Sequence, residues 1–212
     1  MSGLFITFEG TEGSGKSTQI ALLAERLRSL GRKVCPLREP GGTPIGEEIR
    51  HTLQHSAANA KMTPEAELLL INASRAQLVR ETIRPALAAG EVVLCDRFYD
   101  STTAYQGYGR KLDLNLVKNI IEFAVGDTRP HLTFFLHIPP SLSEERRRLR
   151  QAGGPAPRDR MEEAGRSFFE RVEQGYRAIA AAEPGRIKWI DATQKAEVVQ
   201  AIIWQQVKSF LV

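Results

Sequence analysis

Residues Gly10 to Ser17 read Gly-Thr-Glu-Gly-Ser-Gly-Lys-Ser, which sets glycines, a lysine and a hydroxyl in the spacing G-x-x-x-x-G-K-[ST]. That set of residues suits a polyphosphate. The glycines let the backbone bend until its N–H groups turn inward around anionic oxygens, and a helix opening there adds the positive end of its dipole. Lys16 is expected to reach the β- and γ-phosphates of a nucleoside triphosphate, and Ser17 to ligate magnesium. Gly10, Thr11, Glu12, Gly13, Ser14, Gly15, Lys16, Ser17 and Thr18 are thus the candidate ATP-binding residues. A hydrated metal also needs a carboxylate. Val92-Val93-Leu94-Cys95-Asp96 offers Asp96 at the end of an apolar run, where strands of a parallel sheet present ligands. Capping a helix is the other role open to Asp96. Arg97 follows directly and suits an acceptor phosphate.

These groups need elements that hold them. Short apolar or aromatic runs alternate with stretches of helical period, the pattern of a parallel sheet covered by helices. Five strands are predicted, at Leu4 to Glu9, Lys33 to Arg38, Glu91 to Asp96, Leu132 to Ile138 and Arg186 to Asp191. The phosphate loop leaves the first of them and enters a helix over Ser17 to Leu30, stopped by Gly31. Pro64 to Ala89 reads as a long helix started by Thr63 and Pro64, which Pro85 kinks or divides. Gln151 to Pro157, Gln-Ala-Gly-Gly-Pro-Ala-Pro, reads as a mobile loop.

With 212 residues, 42% of them hydrophobic, the chain can fill one core, so a single domain with a small insertion is expected. A net charge of +4 suits a small anionic ligand and is too slight to call for nucleic acid. Two cysteines, one inside an apolar run, point to a reducing, cytoplasmic setting. No window approaches the roughly 18 to 20 apolar residues that span a bilayer.

Six segments in order resemble the bacterial thymidylate kinase family. They are Phe8 to Ser17, Arg38-Glu-Pro-Gly-Gly-Thr43, Asp96-Arg97-Phe98 with Ser101, Ala104-Tyr-Gln-Gly107, Asp159-Arg160 and Ile190-Asp-Ala-Thr193. The resemblance implies an α/β, three-layer P-loop kinase fold. In it a five-stranded parallel sheet is flanked by helices, and a small lid lies at about 148 to 161 within a single domain, 1 to 212. It implies transfer of the γ-phosphate of ATP to dTMP, with Mg2+ held by Ser17 and Asp96, in a homodimer. By the same resemblance Lys16, Arg97, Arg158 and Arg160 are catalytic. Glu12, Arg38, Pro40, Ile71, Arg75, Arg97, Ser101, Thr102, Tyr105 and Gln106 would contact the acceptor, with Tyr105 where a 2′-hydroxyl would sit. Ile71 departs from the family, which usually carries an aromatic there. His137 replaces a residue that is often acidic and reads as a satisfied core histidine.

Other roles stay open at this stage. Arg75 and Arg80 would serve as solvated helix residues, Tyr105 as core, and Arg146 to Arg148 as an exposed face. Phosphorylation of another nucleoside monophosphate, or a nucleotide-switched binding protein, are the competing functions. Against a switch, no Asn-Lys-x-Asp element occurs in the sequence.

Overall fold

Leu4–Glu9 forms β1, buried along its whole length, and its two faces decide what lies on either side. The computed structural model describes residues 3–151 and 165–211. Within them Val34–Arg38 (β2), Val92–Asp96 (β3), Leu132–His137 (β4) and Ile187–Asp191 (β5) join β1 in one parallel sheet of order β2-β3-β1-β4-β5. The expected starts at Lys33, Glu91 and Arg186 are each one residue early, because the first registered pairs are Val34 with Val92 and Thr133 with Ile187. The charged residue before each strand joins only through its carbonyl, which accepts an N–H of the neighbouring strand, and β4 stops at His137 rather than Ile138.

The helices are Lys16–Ser29 (α1), Pro44–Gln54 (α2), Pro64–Leu78 (α3), Arg84–Ala88 (α4), Tyr99–Thr102 (α5), Leu114–Val125 (α6), Pro140–Gln151 (α7), Arg166–Ala182 (α8) and Ala196–Val207 (α9). Helix α1 begins and ends one residue before the Ser17 to Leu30 reading, and Gly31 follows it at φ 76°, the left-handed stop expected. Thr63 caps α3 by accepting from the Ala66 N–H, and Pro64 occupies its first turn. The long helix is divided: a wider π turn, Val79–Ile83, separates α3 from α4. Pro85 explains the break, since it has no N–H to donate and its ring opposes the carbonyl of Glu81 four residues back.

One side of β1, Leu4, Ile6 and Phe8, packs with Leu23 and Leu27 of α1 and Val199 and Ile203 of α9. On the other side Phe5, with Val93 and Cys95 of β3, meets Leu68 and Leu78 of α3 and Val117 and Ile121 of α6. The sheet is therefore the middle of three layers. Burial pushes the Cys95 thiol well above its ordinary 9.0, so it behaves as a small core hydrophobe. A third cluster, Tyr105, Phe135, Phe168, Val172 and Tyr176, fastens a π-helical segment, Thr103–Gly109, to α8. A Cβ at Gly175 would come within 2.8 Å of the Tyr108 ring, so glycine is what lets α8 approach so closely.

Phe8 and Arg38 both pair with Asp96, so β1, β2 and β3 end level. The strand order reverses at β1, which opens a crevice at this edge, the place where doubly wound sheets bind ligands. Helix α7 runs on through Gln151, the residue at which a loop was expected. Residues 152 to 157 of that loop, and Arg158, Asp159 and Arg160 of the expected lid, lie outside the described residues. Among the described residues no helix is long and apolar enough to cross a membrane.

Candidate active site

The crevice is a cavity of about 520 Å³, within the range of small-ligand sites. The phosphate loop forms its floor. Gly10 sits at φ 137°, where an added Cβ would also meet the Leu136 carbonyl oxygen at 2.4 Å, and Gly13 at φ 74° and Gly15 at φ 93° complete the bend. Thr11, Glu12, Gly13, Gly15, Lys16, Ser17 and Thr18 line the cavity, whereas Gly10 and Ser14 lie beneath it. The Ser14 and Thr11 hydroxyls are buried with no protein partner among the described residues. Lys16 Nζ donates to the carbonyls of Gly10 and Thr11, each at 3.1 Å. Burial, and then the nearby Arg97, lower its pKa from 10.5 to about 8. A cation disfavoured by burial and by a like charge gains from the arrival of an anion, beyond the help it has from Asp96, Glu12 and Glu9.

Ser17 Oγ donates to Asp96 Oδ2 at 3.1 Å, so a hydroxyl from the first turn of α1 and a carboxylate from the end of β3 share one spot. Two hard oxygen donors of this kind fit Mg2+, which keeps most of its waters and takes few protein ligands.

Arg97 has φ 69°, an uncommon conformation for a long side chain. Its Nη1 donates to Ser101 Oγ at 3.2 Å, its Nη2 to Glu12 Oε1 at 3.2 Å, and its guanidinium lies 5.1 Å from the Tyr105 ring centroid. The turn around it is held by Glu9, whose Oε1 accepts from the N–H groups of Phe98 at 2.8 Å and Ser101 at 3.3 Å. Glu9 Oε2 takes the Ser101 hydroxyl in a short hydrogen bond and Tyr176 OH at 2.8 Å. Burial, and then the neighbouring Asp100, raise its pKa from 4.5 to about 7, against the opposing pull of Arg97.

Arg75 is not a solvated helix residue. Only 1% exposed, it donates through Nε to Glu39, through Nη1 to Asn72 Oδ1 at 3.0 Å and Thr102 Oγ1 at 2.9 Å, and through Nη2 to Glu39 Oε2 at 2.6 Å and the Phe98 carbonyl at 3.2 Å. All the N–H groups of a guanidinium are thereby matched within the protein. Removing either member of so buried a pair costs about 3 to 5 kcal/mol, because the other charge is left alone.

Arg38, Pro40, Ile71, Arg75, Asp96, Arg97, Ser101, Thr102, Tyr105 and Gln106 all line the cavity. Glu9 and Glu39 sit inside the quoted motifs but were not among the expected site residues, since no local pattern marks a glutamate as buried. Nor were Arg50 and Tyr176, which line the cavity from α2 and α8. Arg146 was read as part of an exposed face. It is half-buried, and its Nη1 donates to the Gly13 carbonyl at 2.8 Å while Ser143 Oγ donates to that of Glu12 at 2.7 Å, so α7 grips the phosphate loop. Arg80 reaches α6, donating to the Ala124 carbonyl at 2.8 Å. Tyr105 belongs to both core and cavity wall. His137 is no core histidine: it lies half-buried on the cavity wall, 5.0 Å from the Trp189 ring and 3.4 Å from Glu173.

A phosphate loop on a doubly wound sheet, faced by an arginine from the neighbouring strand end, defines a P-loop phosphotransferase. Residues 8–203 match the family model described as thymidylate kinase. Thymidylate kinase of Chlorobium luteolum is 50% identical over 204 residues, covering 94% of both chains. That of Syntrophotalea carbinolica is 51% identical over 201 residues, covering 94% of this chain and 93% of its own. The crystal structure of thymidylate kinase from Ehrlichia chaffeensis superposes with a TM-score of 0.77 at 31% identity, covering 98% of this chain and 99% of that one. The chain belongs to the thymidylate kinase family.

The raised pKa of Glu9 makes a signed prediction. The folded protein holds this proton more tightly than the unfolded chain, so Glu9 favours folding most below pH about 4.5, and the benefit is lost as pH rises through about 7. Glu9→Gln, which cannot ionise, should therefore gain on wild type in stability between pH 5 and pH 8 by an amount on the order of 3 kcal/mol, seen as a growing difference in melting temperature. Thermal melts across that range measure it; a constant difference between the two proteins would refute the assignment.

Proposed function

We propose that this cavity transfers the γ-phosphate of ATP to dTMP, giving ADP and dTDP. The observation that carries this reading is that Lys16, which opens α1 after the phosphate loop, and Arg97, directly after β3, line one cavity. Lys16 serves the donor phosphates and Arg97, with Arg38 nearby, the acceptor phosphate. An oxygen of the dTMP phosphate attacks the γ-phosphorus, the bond to the ADP oxygen breaks, and the charge released stays on the β-phosphate. The acceptor oxygen is already ionised at neutral pH, so no strong base is required, and positioning and charge neutralisation supply the catalysis. Ser17 and Asp96 would hold Mg2+, which when bound screens the charge of the phosphates. Arg158 and Arg160, by family resemblance, close over the reacting phosphate as part of a lid at about 148 to 161 of a single domain.

On the acceptor side, Tyr105 and Glu12 face the sugar, and Pro40, Ile71, Arg75, Ser101, Thr102 and Gln106 enclose the base. Arg75 acts there mainly by shaping the wall, since its hydrogen bonds are taken by the protein. The enzyme works on free nucleotides in the cytoplasm, without nucleic acid, and as a homodimer. Phe123, 83% exposed on α6, and Leu69 on the adjacent α3 support the dimer, because such apolar surface favours burial against a second copy. A coupled assay of ADP release with dTMP, dUMP, the ribonucleotide TMP, dGMP and thymidine tests the function. Turnover with dGMP or thymidine in preference to dTMP would refute it.

Lys16→Ala and Arg97→Ala should each abolish most turnover with the fold retained, and should differ in which substrate suffers. Arg97→Ala is expected to weaken dTMP binding far more than ATP binding; calorimetric titration giving an unchanged dTMP dissociation constant would remove Arg97 from the acceptor phosphate.

Ile71 is half-buried on the cavity wall rather than locked in the core. Ile71→Phe should tighten dTMP by up to about tenfold, the lower end of the energy of base stacking on an aromatic, and leave ATP affinity unchanged. A destabilised variant with weaker dTMP binding would instead place Ile71 in packing alone.

A further inference from the structure

Gln106 is 1% exposed, yet it lines the cavity, and its Nε2 donates to Glu67 Oε1 at 2.8 Å. Glu67 is fully buried on α3 and also accepts from Arg110, whose Nε lies 3.1 Å from Oε1 and Nη2 2.9 Å from Oε2. A carboxylate held by a two-point guanidinium has only lone pairs to offer, so it admits the nitrogen end of a carboxamide and rejects the oxygen end. Gln106 therefore has one orientation. Its carbonyl oxygen and the amide hydrogen beside it are left uncommitted, and among the described residues no protein donor reaches that oxygen. Arg75, by contrast, has its donors matched within the protein.

We infer that Glu67 is a positioning residue that fixes which way the Gln106 carboxamide faces the acceptor base, and thereby selects an imide base, thymine or uracil, over cytosine. The inference rests on the proposal above that Gln106 lies at the base. An imide edge presents an N3–H donor beside a carbonyl acceptor. A carboxamide with its oxygen toward N3 and its syn N–H toward the carbonyl matches both, while its anti hydrogen points away to Glu67. Cytosine presents the reverse pattern, an N3 acceptor beside an amino donor. It would be matched only by a flipped carboxamide, which would set the Gln106 oxygen against the Glu67 carboxylate. A site built to exchange hydrogen bonds with a substrate discriminates strongly against one that leaves its polar groups unpaired. The 5-methyl group is not read by this contact, so the lock separates thymine from cytosine and does not separate thymine from uracil.

The test compares wild type, Glu67→Gln and Gln106→Leu in steady-state kinetics with dTMP, dUMP and dCMP, with a thermal melt of each. Glu67→Gln can donate as well as accept, so either orientation of Gln106 becomes available. The KM for dTMP should rise about tenfold with kcat nearly unchanged. The ratio of kcat/KM for dTMP over dCMP should narrow by about tenfold or more, with the dTMP to dUMP ratio preserved. A folded Glu67→Gln protein with the wild-type dTMP to dCMP ratio would overturn the lock. Gln106→Leu separates that failure from failure of the underlying reading: an unchanged dTMP KM in Gln106→Leu would mean that Gln106 is not at the base at all. Should Glu67→Gln not fold, competition by N3-methyl-dTMP against wild type decides. The orientation predicts competition weaker than that of dTMP itself by about a hundredfold or more, since an acceptor then faces a methyl group; equal competition would overturn it.

Discussion

The carboxylate of Glu9 sits out of water beneath the ends of β1 and β3, and the geometry of the acceptor side depends on it. Removing a charge from water costs several kcal/mol, and donors from Phe98 N, Ser101 N, Ser101 Oγ and Tyr176 OH offset only part of it, so the pKa stays above the ordinary carboxylate value. Those donors belong to the turn after β3 and to α8, so one group ties β1, that turn and the helix over it. The turn contains Arg97 in a left-handed conformation, which for a residue with a side chain costs roughly 1 to 2 kcal/mol. A single anchored carboxylate thus both maintains an unfavourable backbone and fixes the direction in which a cation leaves it.

Glu39 and Glu67 repeat this arrangement around the same cavity. Glu39 holds Arg75, which in turn holds Asn72, Thr102 and the Phe98 carbonyl. Glu67 holds Gln106 and Arg110. A site for two anionic substrates gains from cations and oriented donors but would lose affinity if carboxylates faced the ligand directly. Burying the carboxylates one residue back keeps the positioning and removes most of the repulsion. Glu39 still reaches the cavity wall, and Glu12 faces the cavity directly, bonded to Arg97 there.

Much of this was legible in the sequence. The phosphate loop, the five strands and the pairing of Asp96 with Ser17 follow from local spacing and apolar runs, because each depends on residues near one another in the chain or on strand ends brought level by register. The division of the helix at Pro85 was legible for the same reason, since its cause is one residue's missing N–H. What the sequence did not disclose are contacts across 36 to 167 residues: Arg75 with Glu39, Gln106 with Glu67, and Tyr176 with Glu9. No local pattern marks a glutamate as buried. Arg146 was misread for a related reason, as its neighbours form a charged run and only the docking of α7 on the loop turns it inward.

In the proposed reaction the Arg97 cation is aimed at the acceptor phosphate by a turn that Glu9 holds. A crystal structure with dTMP bound measures this directly. The dTMP phosphate is expected within hydrogen-bonding distance of Arg97, with Arg97 still at positive φ and the Phe98 N–H still on Glu9. A phosphate bound elsewhere in the cavity, or an Arg97 relaxed to negative φ with its turn detached from Glu9, would contradict it.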